Sequence, residues 1–314
     1  MDDHPVPASS QTVRDILYEK HPRASIPPDE ALLDGEVLSI NPIIYESLTP
    51  KLIKDVARHS HGAAGPSGLD SEAWKRMATC FKKSSDRLCA ALADAARVIC
   101  TSVLTDRDLS AFTAARLVPL DKTPGVRPIA VGEMFRRIIC KAIMKVIERD
   151  VLCSTAPYQM CVGVPSACEA AVHAMERLFH DPSVQGILLV DASNAFNALN
   201  RSAAMHNIPR LCPSLANVFR NTYSRPIRLF VTGGGEISSE EGTCQGHPLT
   251  MAFYAVAVMP LIRNLQTVHQ QFNAGLLMMM VQRMIWSHSA SIGQSWEDWV
   301  QDMGIFPMDP RPSF

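Results

Sequence analysis

Asp191 closes the apolar run Gly186-Ile187-Leu188-Leu189-Val190, and Phe196 follows it by five positions. A short continuous apolar run is expected of a buried strand. A carboxylate at the end of such a strand sits at a sheet edge, where a magnesium ion and phosphate oxygens can meet it. An aromatic ring five residues on is near enough to touch the sugar of a nucleotide whose phosphates rest on that ion. Lys122 and Arg127 form a second constellation, one on each side of Thr123-Pro124-Gly125. Two cations on neighbouring strands can clamp a triphosphate, with the arginine offering a planar fork. Gln245-Gly246 is the third, an amide beside a glycine that lets backbone approach a base pair or template closely. Each has a plain structural counterpart: a turn or cap aspartate, a solvated hairpin tip, an ordinary loop.

These residues need elements to position them. Ala115 to Leu120 and Val126 to Val131 read as two strands joined by the Asp121–Gly125 turn. Ile227 to Val231 and Gly235 to Ile237 resemble a second hairpin around Gly233-Gly234. Helical spacing of apolar residues predicts helices from about Ser85 to Val103 and from Met134 to Val151, and Ser71 can cap a helix beginning Glu72. Glu241 to Gly246 is a loop opening an apolar helix from about Pro248, and His61 to Gly68 is a glycine-rich break. Residues 1–30 hold five prolines among small and polar residues and read as a mobile leader. A helical N-terminal region over 31–111 then precedes the strand-bearing segments.

Composition bounds the function. With 47% hydrophobic and 19% charged residues in 314, the chain can bury a sizeable core. Net charge is −1, so any nucleic-acid partner must be held by a local patch. That patch is expected between Phe112 and Asp150, where eight Lys/Arg face four Asp/Glu, a local balance of +4. No run reaches the roughly 18 uninterrupted apolar residues of a membrane span. Nine cysteines without a Cys-x-x-Cys pair point to reduced thiols and an intracellular setting, cytoplasmic or nuclear, rather than a disulfide framework or zinc site. His173 and His206 lie on helical patterns and read as surface or packed residues. No Gly-x-Ser-x-Gly elbow or Gly-Lys-Ser phosphate loop is present.

In combination and in this order, the three constellations resemble the reverse transcriptases of retrotransposons. The resemblance runs from about Gly65 to Gln266. It rests on Gly65-Pro66-Ser67-Gly68-Leu69-Asp70, on Leu117 to Ile129, on Arg136-Arg137-Ile138-Ile139, on Gln159 to Val164, on the block led by Asp191, and on Glu241 to Pro248. It implies an α/β right-hand polymerase, with fingers over 112–178 and a partial palm over 179–265, a small antiparallel sheet backed by helices. It further implies that Asp191 ligates catalytic Mg2+ and that Phe196 is a steric gate against a ribose 2′-hydroxyl. Lys122 and Arg127 would hold the triphosphate, and Gln245 and Gly246 would line the template and nucleotide site. The implied partners are an RNA or DNA template-primer and a deoxynucleoside triphosphate; no membrane partner is expected.

The sequence departs from that family where the second pair of carboxylates should stand. After Gln245 the only aspartates are Asp298, Asp302 and Asp309, with no Tyr-x-Asp-Asp-like hairpin around them, and His247 occupies a position where such proteins often carry Asp or Ser. One carboxylate cannot hold two magnesium ions against their mutual repulsion. The chain is therefore expected to be a reverse transcriptase-like domain without polymerase activity; the alternative is a non-enzymatic nucleic-acid-binding remnant. The segment 266–314 looks foreign to the rest and is expected to pack poorly. Back-translated with each codon starting on the third base of the one before, Gln301 to Met308 permits Gly-His-Gly-Tyr-Phe-Pro-Asn, a phrase resembling one that follows the catalytic hairpin in related elements.

Overall fold

A computed structural model describes residues 12–122, 125–156, 158–159, 162–182 and 192–264. Asp191, the apolar run before it and the 266–314 segment lie outside the described residues. So do Thr123 and Pro124 at the tip of the first hairpin.

The described chain starts with α1 (Val13–Glu19), nucleated by a capping box in which Thr12 and Asp15 satisfy each other's backbone N–H. Its Ile16 and Leu17 are buried, so the part of the leader from residue 12 onward is anchored rather than loose. Two 3-10 turns follow, Asp29–Ala31 and Pro42–Ser47. Next come α2 (Pro50–Arg58), α3 (Ser71–Thr79), α4 (Lys83–Thr101) and α5 (Asp106–Thr113). The α3 cap is Asp70, whose Oδ1 accepts from the Ala73 N–H at 2.9 Å. Ser71 is already the first helical residue, so the cap lies one residue earlier than the sequence suggested.

The first hairpin is β1 (Ala115–Asp121) and β2 (Val126–Gly132), paired from Ala115↔Gly132 to Asp121↔Val126. The long helix α6 (Met134–Thr155) leaves it, followed by α7 (Ala167–His180), α8 (Ala195–Ala198), α9 (Arg201–Leu211) and α10 (Pro213–Tyr223). The second hairpin, β3 (Ile227–Val231) and β4 (Glu236–Ser239), leads to α11 (Thr250–Ala257). The four strands form one sheet in the order β2-β1-β3-β4. This sheet is mixed: β1 and β3 run parallel over Ala115–Leu117, where an all-antiparallel one was expected. The helices between β2 and β3 supply the long connection that a parallel return requires.

Proline placement fits that topology. Pro128 lies on the edge strand β2, and Pro119 lies on β1 beyond the three residues that pair with β3. Neither breaks a ladder on both sides. The core centres on α6, whose Ile138, Ile139, Cys140, Ala142, Ile143 and Ile147 are buried on almost every face of the helix. Helices α2, α4, α10 and α11 pack against it, while Lys145, Glu148 and Arg149 on the same helix remain exposed. No described helix is long and apolar enough to cross a membrane.

Candidate nucleotide and nucleic-acid site

The described residues flanking the hairpin tip are Lys122 and Gly125. Lys122 donates its backbone N–H to the Gly125 carbonyl at 3.0 Å, and Gly125 takes the left-handed φ of 95° that the turn requires. Arg127 pairs across the ladder with Leu120, one step inside the last pair, so both cations sit at the same end of the sheet. Lys122 is exposed and Arg127 half-buried. Among the described residues neither forms a salt bridge.

Gln245-Gly246 meets that hairpin directly. The edge strand β2 has an unpaired side, and there the Ala130 N–H donates to the Gln245 carbonyl at 2.8 Å. A Cβ on Gly246, at φ 102°, would stand 2.9 Å from the Ala130 carbonyl oxygen. The glycine is therefore what lets the loop close on the strand three residues from Arg127.

The same loop grips the Phe196 segment. Asn194 adopts the left-handed region (φ 52°), which asparagine tolerates better than most residues, and opens the short α8. The Phe196 carbonyl accepts the Thr243 N–H at 2.6 Å, and the Gly242 N–H donates to Leu199 at 2.8 Å. A Cβ on Gly242 would fall 2.3 Å from the Asn197 backbone. The Phe196 ring is half-buried and meets the Tyr254 ring edge-on at 5.1 Å between centroids. Phe196, Gln245, Gly246 and the Arg127 strand are thus joined by backbone hydrogen bonds. The sequence reading of Asp191 cannot be placed among them, because that residue lies outside the described ones.

No family model matches the chain, and no curated protein matches it.

Beneath the loop lies a polar network that the sequence reading missed. Glu241 is buried and accepts from the Ser25 N–H at 2.7 Å, the Arg201 N–H at 2.7 Å, and the Ser25 hydroxyl and Asn200 amide. Arg201, 5% exposed, donates to the carbonyls of Gly242 and Ser239 at 2.8 and 2.7 Å and lies over the Tyr223 ring. Burial pulls the Arg201 guanidinium below its ordinary value, while Cys244, Tyr223 and Glu241 hold it up. This network ties the N-terminal strap at Ser25 to the start of α9 and to the 239–244 loop. The sequence held one sign of it, an acidic pair at Glu240-Glu241 just before the motif, but not the partners, which lie 40 and 216 residues away.

Two other sequence features resolve into scaffold. The Ser67 N–H and hydroxyl both donate to the Glu133 carboxylate, at 2.6 and 2.7 Å. A Cβ on Gly65 would meet the Glu133 backbone at 2.8 Å. The Gly65-Pro66-Ser67-Gly68 stretch thus locks the α2–α3 connection onto the start of α6. His247 is buried, stacks on Phe253, and places Nε2 3.4 Å from Cys140 Sγ. Leu249 donates its N–H to Nδ1 at 3.2 Å, which assigns the ring proton to Nε2. Burial keeps this imidazole neutral, well below the ordinary histidine value, with the Arg136 charge acting the same way. Burial also pushes the Cys140 thiol up to about 12. A neutral thiol beside a neutral imidazole inside the core is packing, not an activated nucleophile.

The +4 patch is also redistributed. Arg136 is 1% exposed, donates to the Thr113 carbonyl at 2.8 Å and lies over the Phe112 ring. Arg137 donates to the Ala63 carbonyl, Lys141 to the Ser60 hydroxyl, and Lys145 pairs with Asp55 at 3.3 Å. Arg136, Arg137 and Lys141 are therefore engaged by the fold and Lys145 by a surface ion pair, leaving the hairpin pair and the exposed Arg149 among the more available charges. His206 is packed, its Nε2 2.9 Å from the Leu33 carbonyl, and His173 is a surface residue beside Glu176, as their helical spacing suggested. Among the described residues no group of three or more His, Cys, Asp or Glu could hold a metal ion. The carboxylate assigned to Mg2+, Asp191, is outside that set.

Proposed function

We propose that this chain is a reverse transcriptase-like domain of a retroelement that retains contacts for nucleotide and template-primer but does not polymerise. In this reading the β1–β2 hairpin belongs to the fingers and residues 192–264, with β3 and β4, belong to the partial palm, the two hairpins sharing one sheet. The observation that carries it is the Ala130–Gln245 hydrogen bond, which brings the motif loop onto the strand bearing Arg127. Polyphosphate would meet Lys122 and Arg127, and the sugar would face Phe196. Gly246 would admit backbone to the base pair. Mg2+, where bound, would supply charge neutralisation at the phosphates, and Asp191 is the residue of this chain assigned to hold it.

The second reading, a nucleic-acid-binding remnant with no ancestral chemistry left, is favoured by one feature, the missing Tyr-x-Asp-Asp pattern. Gel shift and primer extension on an RNA template-primer test both. The expected result is a salt-dependent shift without extension. Lys122→Glu with Arg127→Glu should weaken the shift and lower the slope of log K against log salt by about one per lost phosphate contact. Loss of binding by neither substitution would remove the hairpin from the site.

A further inference from the structure

We infer that Lys20 is a third cation of the phosphate site, facing the same polyphosphate as Lys122 and Arg127. This deepens the reading above and rests on it. Lys20 stands at the C-terminal end of α1, far from either motif in sequence, and no pattern there singled it out. The fold fixes it from three directions. Its N–H closes α1 on the Ile16 carbonyl at 3.0 Å, and the buried Ile16 and Leu17 seat that helix against β2. Its own carbonyl accepts the Asn194 side-chain amide at 2.9 Å, so the residue that opens the Phe196 segment also holds Lys20. The next residue, His21, is anchored by its Nδ1 to the Leu17 carbonyl at 2.7 Å.

Held there, Lys20 is half-buried and lies close enough to Lys122 and Arg127 to feel both charges. Burial pulls its ammonium below the ordinary lysine value, and the two neighbouring cations pull the same way. The neighbouring Glu19 carboxylate acts in the opposite direction. No described carboxylate forms a salt bridge with any of the three. A lysine at a helix C-terminus is favourable for the helix dipole, but that role needs neither partial burial nor two cations beside it. Like charges held near one another repel, and an anion with several charged oxygens removes that repulsion. The polyphosphate of a nucleoside triphosphate has that chemistry; so does a nucleic-acid backbone, with its charge spread along a strand. Lys20 ends a helix that packs on β2 and is held at its carbonyl by Asn194, and this local clustering favours the compact polyphosphate.

The test uses the full chain and measures calorimetric affinity for inorganic tripolyphosphate and, separately, for a single-stranded oligonucleotide. Lys20→Met should weaken tripolyphosphate binding by about tenfold, as for loss of one charge-assisted contact, while Lys20→Arg retains most of it. Oligonucleotide affinity should change much less. Circular dichroism and a thermal melt check that α1 remains docked, and Lys20→Arg covers the case in which methionine disturbs it. Wild-type tripolyphosphate affinity in Lys20→Met, with weakening in Lys122→Met and Arg127→Met, would overturn the role of Lys20 and leave the hairpin reading intact. No tripolyphosphate binding by the parent chain, or no loss in any of the three variants, would overturn both. Equal weakening of the two ligands would reassign Lys20 to the nucleic-acid backbone.

Discussion

Gly242 lies so close to Asn197 that a Cβ on the glycine would stand 2.3 Å from the asparagine backbone. The two residues belong to separate candidate motifs, 45 positions apart, and their contact holds those motifs in register. Gly242 also has φ 72°, a conformation that disfavours any side chain. Gly242→Ala should therefore destabilise the protein by about 2–4 kcal/mol, in the upper range for a single substitution. The midpoint of urea unfolding measures it. A change below about 0.5 kcal/mol, typical of an unconstrained surface position, would mean that the two segments are not interlocked.

Glu241 makes a prediction of opposite character to its neighbour. It is buried and accepts from Ser25, Asn200 and Arg201, whereas Glu240 reaches out to the exposed Arg23. Glu241→Leu would orphan the buried Arg201 N–H, at about 1–3 kcal/mol for a buried group left unsatisfied, and would remove the acceptor that holds the part-buried Ser25 and Asn200 contacts. Arg23→Ala should leave the unfolding midpoint where it was, because an exposed ion pair adds little. Equal effects from the two substitutions would show that the strap is not held through Glu241.

His247 sets a pH dependence whose sign is fixed by its burial. In the unfolded chain a histidine takes up a proton near pH 6.5; in the fold its affinity for that proton is well below the ordinary value. Below about pH 6.5 the unfolded state therefore binds more protons, and stability falls with decreasing pH by up to about 1.4 kcal/mol per unit for one such group. His21, shifted the same way mainly by burial, adds to it. Urea midpoints at pH 7.5, 6.5 and 5.5 should decline in that order. The decline should be shallower in His247→Gln. An unchanged slope in that variant would show that His247 is not the buried neutral base.

Sequence spacing was enough to place both hairpins, α4 and α6, because strand alternation and helical periodicity are local signals. It also brought Lys122, Arg127 and Gly125 to one turn, since a hairpin is a local structure too. The mixed character of the sheet was not legible: which strand β3 joins depends on how the helices from α6 to α10 return the chain. Nor was the anchoring of residues 12–40. Their prolines and polar residues look like an unstructured leader, and only the long-range partners Asn194, Asn207 and Glu241 reveal a strap. The basic patch misled for the same reason. Arg136 and Arg137 count as surface charge in a sequence, while the fold aims them at the Thr113 and Ala63 carbonyls.

The final prediction concerns activity and the gene behind the 266–314 segment. On the proposed reading, Asp191 is the only carboxylate of the polymerase pattern that the sequence provides, so this chain should show no nucleotide incorporation. Losing one group that stabilises a phosphoryl-transfer transition state costs on the order of 10²–10³-fold in rate, and here a whole hairpin of such groups is missing. If the segment is an out-of-frame translation, sequencing the gene across codons 276–314 should reveal Tyr-x-Asp-Asp-like codons in the shifted frame. Replacing residues 276–314 by a Tyr-Ala-Asp-Asp hairpin and its following strand should then restore primer extension, and Asp191→Asn should abolish it again. Both arms are needed, because restored extension that survives Asp191→Asn would place the chemistry elsewhere. Extension by the unaltered chain would show that its carboxylates come from a source the motif reading missed. A shifted frame without such codons would remove the frameshift account while leaving the binding site untouched, since Lys122, Arg127, Phe196 and Gln245 all precede that segment.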